Sequence, residues 1–224
     1  MANPDLASPW RVKAQVYLAR DGVDKKAYQH ALDAYTSFVE RNPTDPTGYF
    51  DLYSLYMKLG NYERAQFELE RIQSYYPKYP NLHLYKGIMY STMGNYRAAV
   101  PEFEVEIKQN EQHLQAYLGL GKAQLEMRDF ESAAKNLQMA MRLNPKSSEA
   151  KFYSAMTNQR LKNFVGAIAL FKTALDLDPG NPLLYKRMGE CYREMGETQA
   201  MRAAFKKYLQ MEPDAPDRRE IERL

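Results

Sequence analysis

A step of 34 residues recurs along this chain and constrains its fold more than any other feature. GNYERA at residues 60–65 returns as GNYRAA at residues 94–99. Prolines fall on the same step or on a multiple of it, with Glu111 at the one skipped position, and they are Pro43, Pro77, Pro145, Pro179 and Pro213. An internal period of about 20 to 50 residues is typical of repeat proteins. The chain is therefore predicted to be a row of similar units.

Each unit is predicted to be a helical hairpin, because two stretches of about 14 residues per unit carry apolar residues at helical spacing. Glycines recur between the paired helices, where a left-handed cap is expected, and they are Gly60, Gly94 and Gly196. The residues expected as N-caps of the second helices are Asn61, Asn95, Asp129 and Asn163. A lone hairpin cannot bury its apolar face, whereas stacked hairpins share one continuous core.

Small and large side chains also alternate in phase with the repeat. Alanine recurs at Ala31, Ala65, Ala99, Ala133 and Ala167, with Met201 as the exception at the sixth position. A large apolar residue follows four positions later, at Tyr35, Leu69, Phe103, Leu137, Phe171 and Phe205. This pattern predicts helices that approach closely at each alanine, with the large side chain filling the space beside the contact.

The order aromatic, Leu, Gly, Tyr, Ala, Phe, Pro within 34 residues resembles the tetratricopeptide repeat. The sixth unit shows it as Tyr185, Met188, Gly189, Tyr192, Phe205 and Pro213, although the first unit lacks the usual glycine and tyrosine. The resemblance implies an all-α fold, a right-handed superhelical solenoid of about six helix-turn-helix repeats with a short C-terminal capping helix. The expected repeats are 12–45, 46–79, 80–113, 114–147, 148–181 and 182–215.

Both ends of the repeat domain at residues 12–215 are expected to be covered. Residues 1–11 form an N-terminal lead-in and cap, with Ser8 and Pro9 opening the first helix, Trp10 shielding the open end and an early helix stop at Gly22. Residues 216–224 are predicted to form the capping helix, with Ile221 and Leu224 facing the last repeat. That helix would be truncated if the natural chain is longer.

Composition narrows the functional classes. The net charge of +3 and the absence of a block of like charges argue against a nucleic-acid-binding arm. No apolar stretch approaches the roughly 20 residues of a membrane span. The first residues show no basic segment followed by an apolar run, so we expect a cytoplasmic protein. The single cysteine, Cys191, is compatible with a reducing compartment.

No constellation for catalysis or metal binding is evident, and we expect neither an enzyme nor a cofactor. His30, His83 and His113 lie at unrelated phases of the repeat, and His83 is interpreted as a packing or capping residue. Cys191 shares its phase with Leu55 and Met89, and it is interpreted as a small buried residue.

In tetratricopeptide proteins the first helix of each pair lines a concave groove, and the resemblance implies that a partner binds there as an extended peptide or a helix. The groove is expected to be apolar and aromatic in its middle and basic toward its C-terminal end. The residues expected to bind the partner are Tyr17, Phe50, Leu84, Tyr85, Ile88, Leu118, Gly119, Lys122, Phe152, Tyr153, Met156, Arg160, Lys186, Arg187 and Arg193.

Gly119 stands where the preceding and following repeats carry Tyr85 and Tyr153. Two interpretations stay open. Gly119 floors a dent, walled by both tyrosines and Leu118, that accepts an apolar anchor of the partner. Alternatively, the glycine lets a neighbouring helix or ring pack closely.

The sequence thus favours a non-enzymatic adaptor or scaffold that binds a protein partner, of unknown oligomeric state. A chaperone-binding carboxylate clamp is disfavoured, because no three successive repeats carry its lysine, asparagine and arginine set. The alternative is a bacterial pilotin-type, periplasmic assembly factor for a pilus or secretin, whose N-terminal signal and lipidated cysteine have been removed. A nucleic-acid-associated protein is a distant third hypothesis, and steep weakening of binding with salt would be its mark.

Overall fold

The computed structural model describes residues 9–19 and 25–224, so the N-cap expected at Ser8 and the helix stop expected at Gly22 lie outside the described residues. The described part of the chain contains thirteen α-helices and no strand. Their bounds are α1 (Pro9–Leu18), α2 (Lys25–Arg41), α3 (Pro46–Lys58), α4 (Tyr62–Tyr75), α5 (Leu82–Thr92), α6 (Tyr96–Gln109), α7 (Leu114–Glu126), α8 (Phe130–Leu143), α9 (Ser148–Arg160), α10 (Phe164–Leu177), α11 (Pro182–Glu194), α12 (Thr198–Met211) and α13 (Arg218–Ile221).

The chain forms two compact units, residues 1–95 and residues 96–224. In the first unit α1 packs on α2, α2 on α3, α3 on α4 and α4 on α5. In the second unit each helix from α6 to α12 likewise packs on the next. The predicted all-α fold of paired helices is confirmed, whereas a single repeat domain over residues 12–215 stays a prediction.

The joints between paired helices have the predicted geometry. Gly60, Gly94 and Gly196 adopt left-handed φ angles of 69°, 74° and 75°, which cost glycine little because it has no Cβ. The predicted N-caps Asn61, Asp129 and Asn163 accept hydrogen bonds from the backbone N–H groups of Arg64, Ser132 and Gly166.

Two joints lack the glycine and keep its conformation. Arg128 and Lys162 adopt left-handed φ angles of 64° and 61°. Each directly follows the C-cap of a first helix, where a cation interacts favourably with the helix dipole. That interaction offsets part of the steric cost that a side chain carries in this region.

The small residues lie at the helix contacts, as the period predicted. Ala31, Ala65, Ala99, Ala133 and Ala167 are fully buried. Glycines serve the same purpose on first helices: a Cβ on Gly121 would stand 2.6 Å from Leu137 Cγ, and one on Gly189 would stand 2.6 Å from Phe205 Cε1. Large side chains therefore occupy the space that the glycines leave open.

The end regions differ in how closely they follow expectation. Helix α1 begins at Pro9 as predicted, and the Trp10 ring lies 4.9 Å from the Arg41 guanidinium carbon. The expected capping helix over residues 216–224 is shorter than predicted, since α13 covers Arg218–Ile221 only. The carboxylate of Asp217 accounts for this, because it binds Lys186 and the Tyr208 hydroxyl and does not cap α13.

Candidate partner-binding surface

The first helices of three successive pairs lie side by side in the second unit, because α9 contacts both α7 and α11. Two side-chain hydrogen bonds join these helices. Lys122 Nζ donates to Glu149 Oε1 at 3.1 Å, and Gln159 Nε2 donates to Glu190 Oε2 at 3.1 Å. We call the face that they share the first-helix surface, and its residues are Lys122, Tyr153, Met156, Arg160, Arg187 and Glu190.

Lys122 and Tyr153 form the centre of this surface. The Lys122 ammonium lies 4.6 Å from the centroid of the Tyr153 ring, a distance at which a cation is attracted to an aromatic face. Burial lowers the pKa of Lys122, but the hydrogen bond to Glu149 and the nearby Tyr153 outweigh it, so the pKa is raised overall. Lys122 is therefore charged at neutral pH and holds the tyrosine ring in place.

Beside this pair, α9 presents further apolar area. The Phe152 ring meets Tyr153 edge-on at 5.3 Å and reaches Phe171 at 5.9 Å. Met156 is half-buried and packs against the core beneath the surface. Phe152 and Met156 thus belong partly to the core and partly to the exposed surface.

Two predicted binding residues are not available to a partner. Leu84 and Leu118 are 7% and 2% exposed, respectively. Both lie within the packed helix interfaces, so the prediction that they line the groove is wrong for these two side chains. Their phase places them between neighbouring helices, where burial of a leucine is favourable.

The space above Gly119 is filled by Phe103. A Cβ on Gly119 would stand 2.6 Å from Phe103 Cε1 and from Phe103 Cζ. Phe103 is fully buried. Of the two interpretations of Gly119, the structure supports close packing, and the expected dent is absent because the ring occupies it.

In the first unit the predicted aromatic residues form a cluster. Tyr85 lies 4.5 Å from Phe50 and 5.9 Å from Tyr53, between ring centroids. The Tyr53 hydroxyl donates to the backbone carbonyl of Tyr85 at 3.0 Å, and burial raises the pKa of Tyr53. Phe50 and Tyr85 remain half-exposed at the edge of this cluster.

The remaining predicted residues of the first unit are separate from that cluster in character. The Tyr17 ring stacks on His30 at 4.9 Å and is half-buried. Ile88 is exposed on α5. Asp51, which shares the phase of Tyr17, is paired with Arg11 of α1.

The predicted cations differ in how they are paired. Lys186 lies 2.7 Å from Asp217 and is therefore neutralised by the C-terminal segment. Arg187 Nη1 donates to Glu190 Oε2 at 2.9 Å. Arg193 lies 4.0 Å from Glu194, whereas Arg160 is exposed and forms no ion pair with any described residue.

One exposed apolar series was not found by the sequence reasoning. Each first helix from α3 to α11 ends in an apolar C-cap residue that is 39% to 45% exposed, namely Leu59, Met93, Met127, Leu161 and Met195. Single exposed apolar residues are ordinary. Their recurrence at one phase is a signal that the period of 34 carried in the sequence.

Side chains that could carry chemistry take structural roles instead. Cys191 is fully buried, and burial raises the pKa of its thiol to about 11. Within residues 9–19 and 25–224, no three His, Cys, Asp or Glu side chains come together as metal ligands would. None of the helices described combines the length and the apolar character that crossing a bilayer requires.

A family model of the tetratricopeptide repeat matches residues 23–86 and 160–220, and a second model of the same description matches residues 118–182. No curated protein matches the chain. Solved structures show the same fold at low identity. The crystal structure of MamA protein is 21% identical, with 75% of this chain and 92% of that chain covered and a TM-score of 0.67. MamA 41-end from Desulfovibrio magneticus RS-1 is 21% identical, with 76% and 93% covered and a TM-score of 0.66. YrrB, a TPR protein with an unusual peptide-binding site, is 21% identical, with 87% and 100% covered and a TM-score of 0.68. Because the first family model alone spans more than half of the residues, this chain belongs to the tetratricopeptide repeat family.

Proposed function

We propose that this protein is a non-catalytic interaction module that holds a peptide or helix of a partner protein against the first helices of its repeats. The observation that carries the proposal is the alignment of α7, α9 and α11, which places side chains of three repeats on one surface. A surface built from successive repeats is long enough to follow an extended or helical segment.

The chemistry of the first-helix surface supports this function. Tyr153 offers a large ring whose position is fixed by Lys122, and aromatic and arginine side chains contribute most to protein interfaces. Met156 adds a side chain that adapts to different apolar anchors. YrrB has the same fold and is described as having a peptide-binding site, which is consistent with a peptide ligand here.

The test begins with affinity capture of partners by the full chain, followed by titration of one purified partner. Tyr153→Ala and Met156→Ala are expected to weaken binding by about tenfold or more, which corresponds to at least about 1.4 kcal/mol. Lys172→Ala, on the exposed side of α10, is the matched control and is expected to bind like the wild type. Thermal melting of each variant separates loss of binding from loss of folding.

Two results would contradict the proposal. One is that no captured protein binds the purified chain directly. The other is that Lys172→Ala weakens binding while Tyr153→Ala and Met156→Ala leave it unchanged, which would move the contact to the second helices.

A further inference from the structure

We propose that the second unit binds an acidic segment of its protein partner in a cationic cleft between α9 and α11. The inference rests on the proposed function and names the chemistry of the ligand. The cleft has a volume of about 330 Å³ and opens to solvent. Its charged residues are four cations and two carboxylates, namely Arg160, Lys162, Arg187, Arg193, Glu190 and Glu194.

The positive charge of the cleft is not balanced from within. Arg160 and Lys162 are exposed, and neither forms an ion pair with any residue that the structure describes. Glu194 is only loosely paired, because its carboxylate lies 4.0 Å from Arg193 Nε. Two of the four cations are therefore available to a ligand anion.

Arg187 adds an unmet hydrogen-bond donor. Its Nη1 group binds Glu190, and Gln159 donates to the same Glu190 oxygen. Its Nε atom is buried and has no hydrogen-bond partner. A buried donor without a partner is unfavourable, and a ligand carboxylate that enters beside Arg187 would accept from Nε and relieve it. Arginine and carboxylate groups form such paired contacts readily because their geometries match.

A protein segment fits this site better than a nucleic acid. The carboxylates of Glu190 and Glu194 would repel a continuous row of phosphates, whereas spaced aspartate or glutamate side chains can avoid them. Phe164 lines the cleft, and the exposed residues Leu161 and Met195 directly follow Arg160 and Glu194 in the chain. We therefore infer a ligand in which acidic residues alternate with apolar ones.

A pair of variants one repeat apart isolates the role of the cleft. Lys162→Gly removes a cleft cation, and Arg128→Gly removes a cation at the equivalent position 34 residues earlier, outside the lining of the cleft. Both residues have left-handed φ angles, which glycine adopts without strain, so both variants are expected to fold. The two proteins carry the same net charge, so a difference between them reports position alone.

The probes are three fluorescein-labelled ligands, measured by fluorescence anisotropy with the full chain at low salt. The first is a nonapeptide in which leucine alternates with pairs of glutamate, the second is its glutamine counterpart, and the third is a short oligothymidine. The glutamate peptide is expected to bind at least about tenfold more tightly than the glutamine peptide, because only the carboxylates pair with the free cations. Lys162→Gly and Arg160→Gln are each expected to weaken binding of the glutamate peptide by about three- to tenfold, and Arg128→Gly is expected to leave it unchanged.

Several outcomes overturn the inference. Failure of the glutamate peptide to bind at millimolar concentration does so, as does equal binding of the glutamine peptide. Equal losses in Lys162→Gly and Arg128→Gly would show that only the overall charge matters. Oligothymidine binding that exceeds that of the glutamate peptide and falls in Lys162→Gly would assign the cleft to nucleic acid. If a captured partner depends on Tyr153 and not on Lys162 or Arg160, this inference fails while the proposed function stands.

Discussion

Two ring carbons of Phe103 lie 2.6 Å from the point at which a Cβ on Gly119 would stand. Phe103 belongs to α6 and Gly119 to α7, so the contact joins consecutive repeats. Because Phe103 is fully buried, its ring has no free space into which it can move. The glycine is therefore required by packing, and this requirement outweighs its unfavourable helix propensity.

Replacing Gly119 by alanine is expected to destabilise the protein by about 1 to 3 kcal/mol, because the added methyl group overpacks a filled interface. Urea denaturation measures the change. Gly180→Ala is the control, since the only neighbour of its Cβ would be Asp178 Oδ1 at 3.8 Å, and its stability is expected to stay near that of the wild type. A Gly119→Ala protein as stable as the wild type would mean that Phe103 is not fixed in this position.

Replacing Arg128 by glycine is expected to raise the free energy of unfolding by up to about 1 kcal/mol. A side chain in the left-handed region costs about 1 to 2 kcal/mol, and loss of the cation at the helix C-terminus removes about 0.3 to 1 kcal/mol of stabilisation. Gly60→Ala tests the reverse change at an equivalent joint and is expected to destabilise. Urea denaturation that shows the opposite sign for either variant would contradict the assigned conformation of the joints.

His113 caps α7, a role that the sequence reasoning did not assign to it. Its Nδ1 atom accepts from the Ala116 N–H at 3.4 Å, and its Nε2 atom lies 3.6 Å from Glu106 Oε1. His113→Ala is expected to cost about 0.5 to 2 kcal/mol, the usual range for loss of an N-cap. His113→Asn keeps a capping acceptor and is expected to lose less. Thermal melting of both variants checks this order, and an equal loss would assign the effect to the contact with Glu106.

Asp217 is expected to make the attachment of the C-terminal segment depend on pH. Burial raises the pKa of its carboxyl group, but hydrogen bonds from Lys186 and Tyr208 outweigh burial and hold the pKa below the ordinary value of 3.8. A lowered pKa stabilises the folded state above the ordinary value, and this contribution is lost as the pH falls through the folded-state pKa.

The measurement compares melting temperatures of the wild type and Asp217→Asn at neutral pH and well below pH 3.8. The variant is expected to melt at a lower temperature at neutral pH and to match the wild type in acid. A difference that persists unchanged in acid would show that the carboxylate charge is not what stabilises this segment.

The period of the sequence predicted the backbone well and the side-chain environments less well. Leu118 and Phe152 share one phase, yet Leu118 is buried and Phe152 is half-exposed. Burial depends on the side chains of the facing helix, which vary between repeats. The pairing of Lys186 with Asp217 was equally hidden, because Asp217 follows the last repeat and has no counterpart at the period of 34. The N-cap at His113 was accessible, since Asp45, Ser147 and Asn181 lie on the same step.

The most direct test of the account is photocrosslinking of the partner to the first helices. A photoreactive phenylalanine derivative is placed at position 156 on α9 or at position 169 on α10, where Met156 is half-buried on the first-helix surface and Ala169 is exposed on a second helix. The account predicts a covalent adduct with the partner from position 156 and none from position 169. An adduct from position 169 alone would contradict it and place the partner on the second helices.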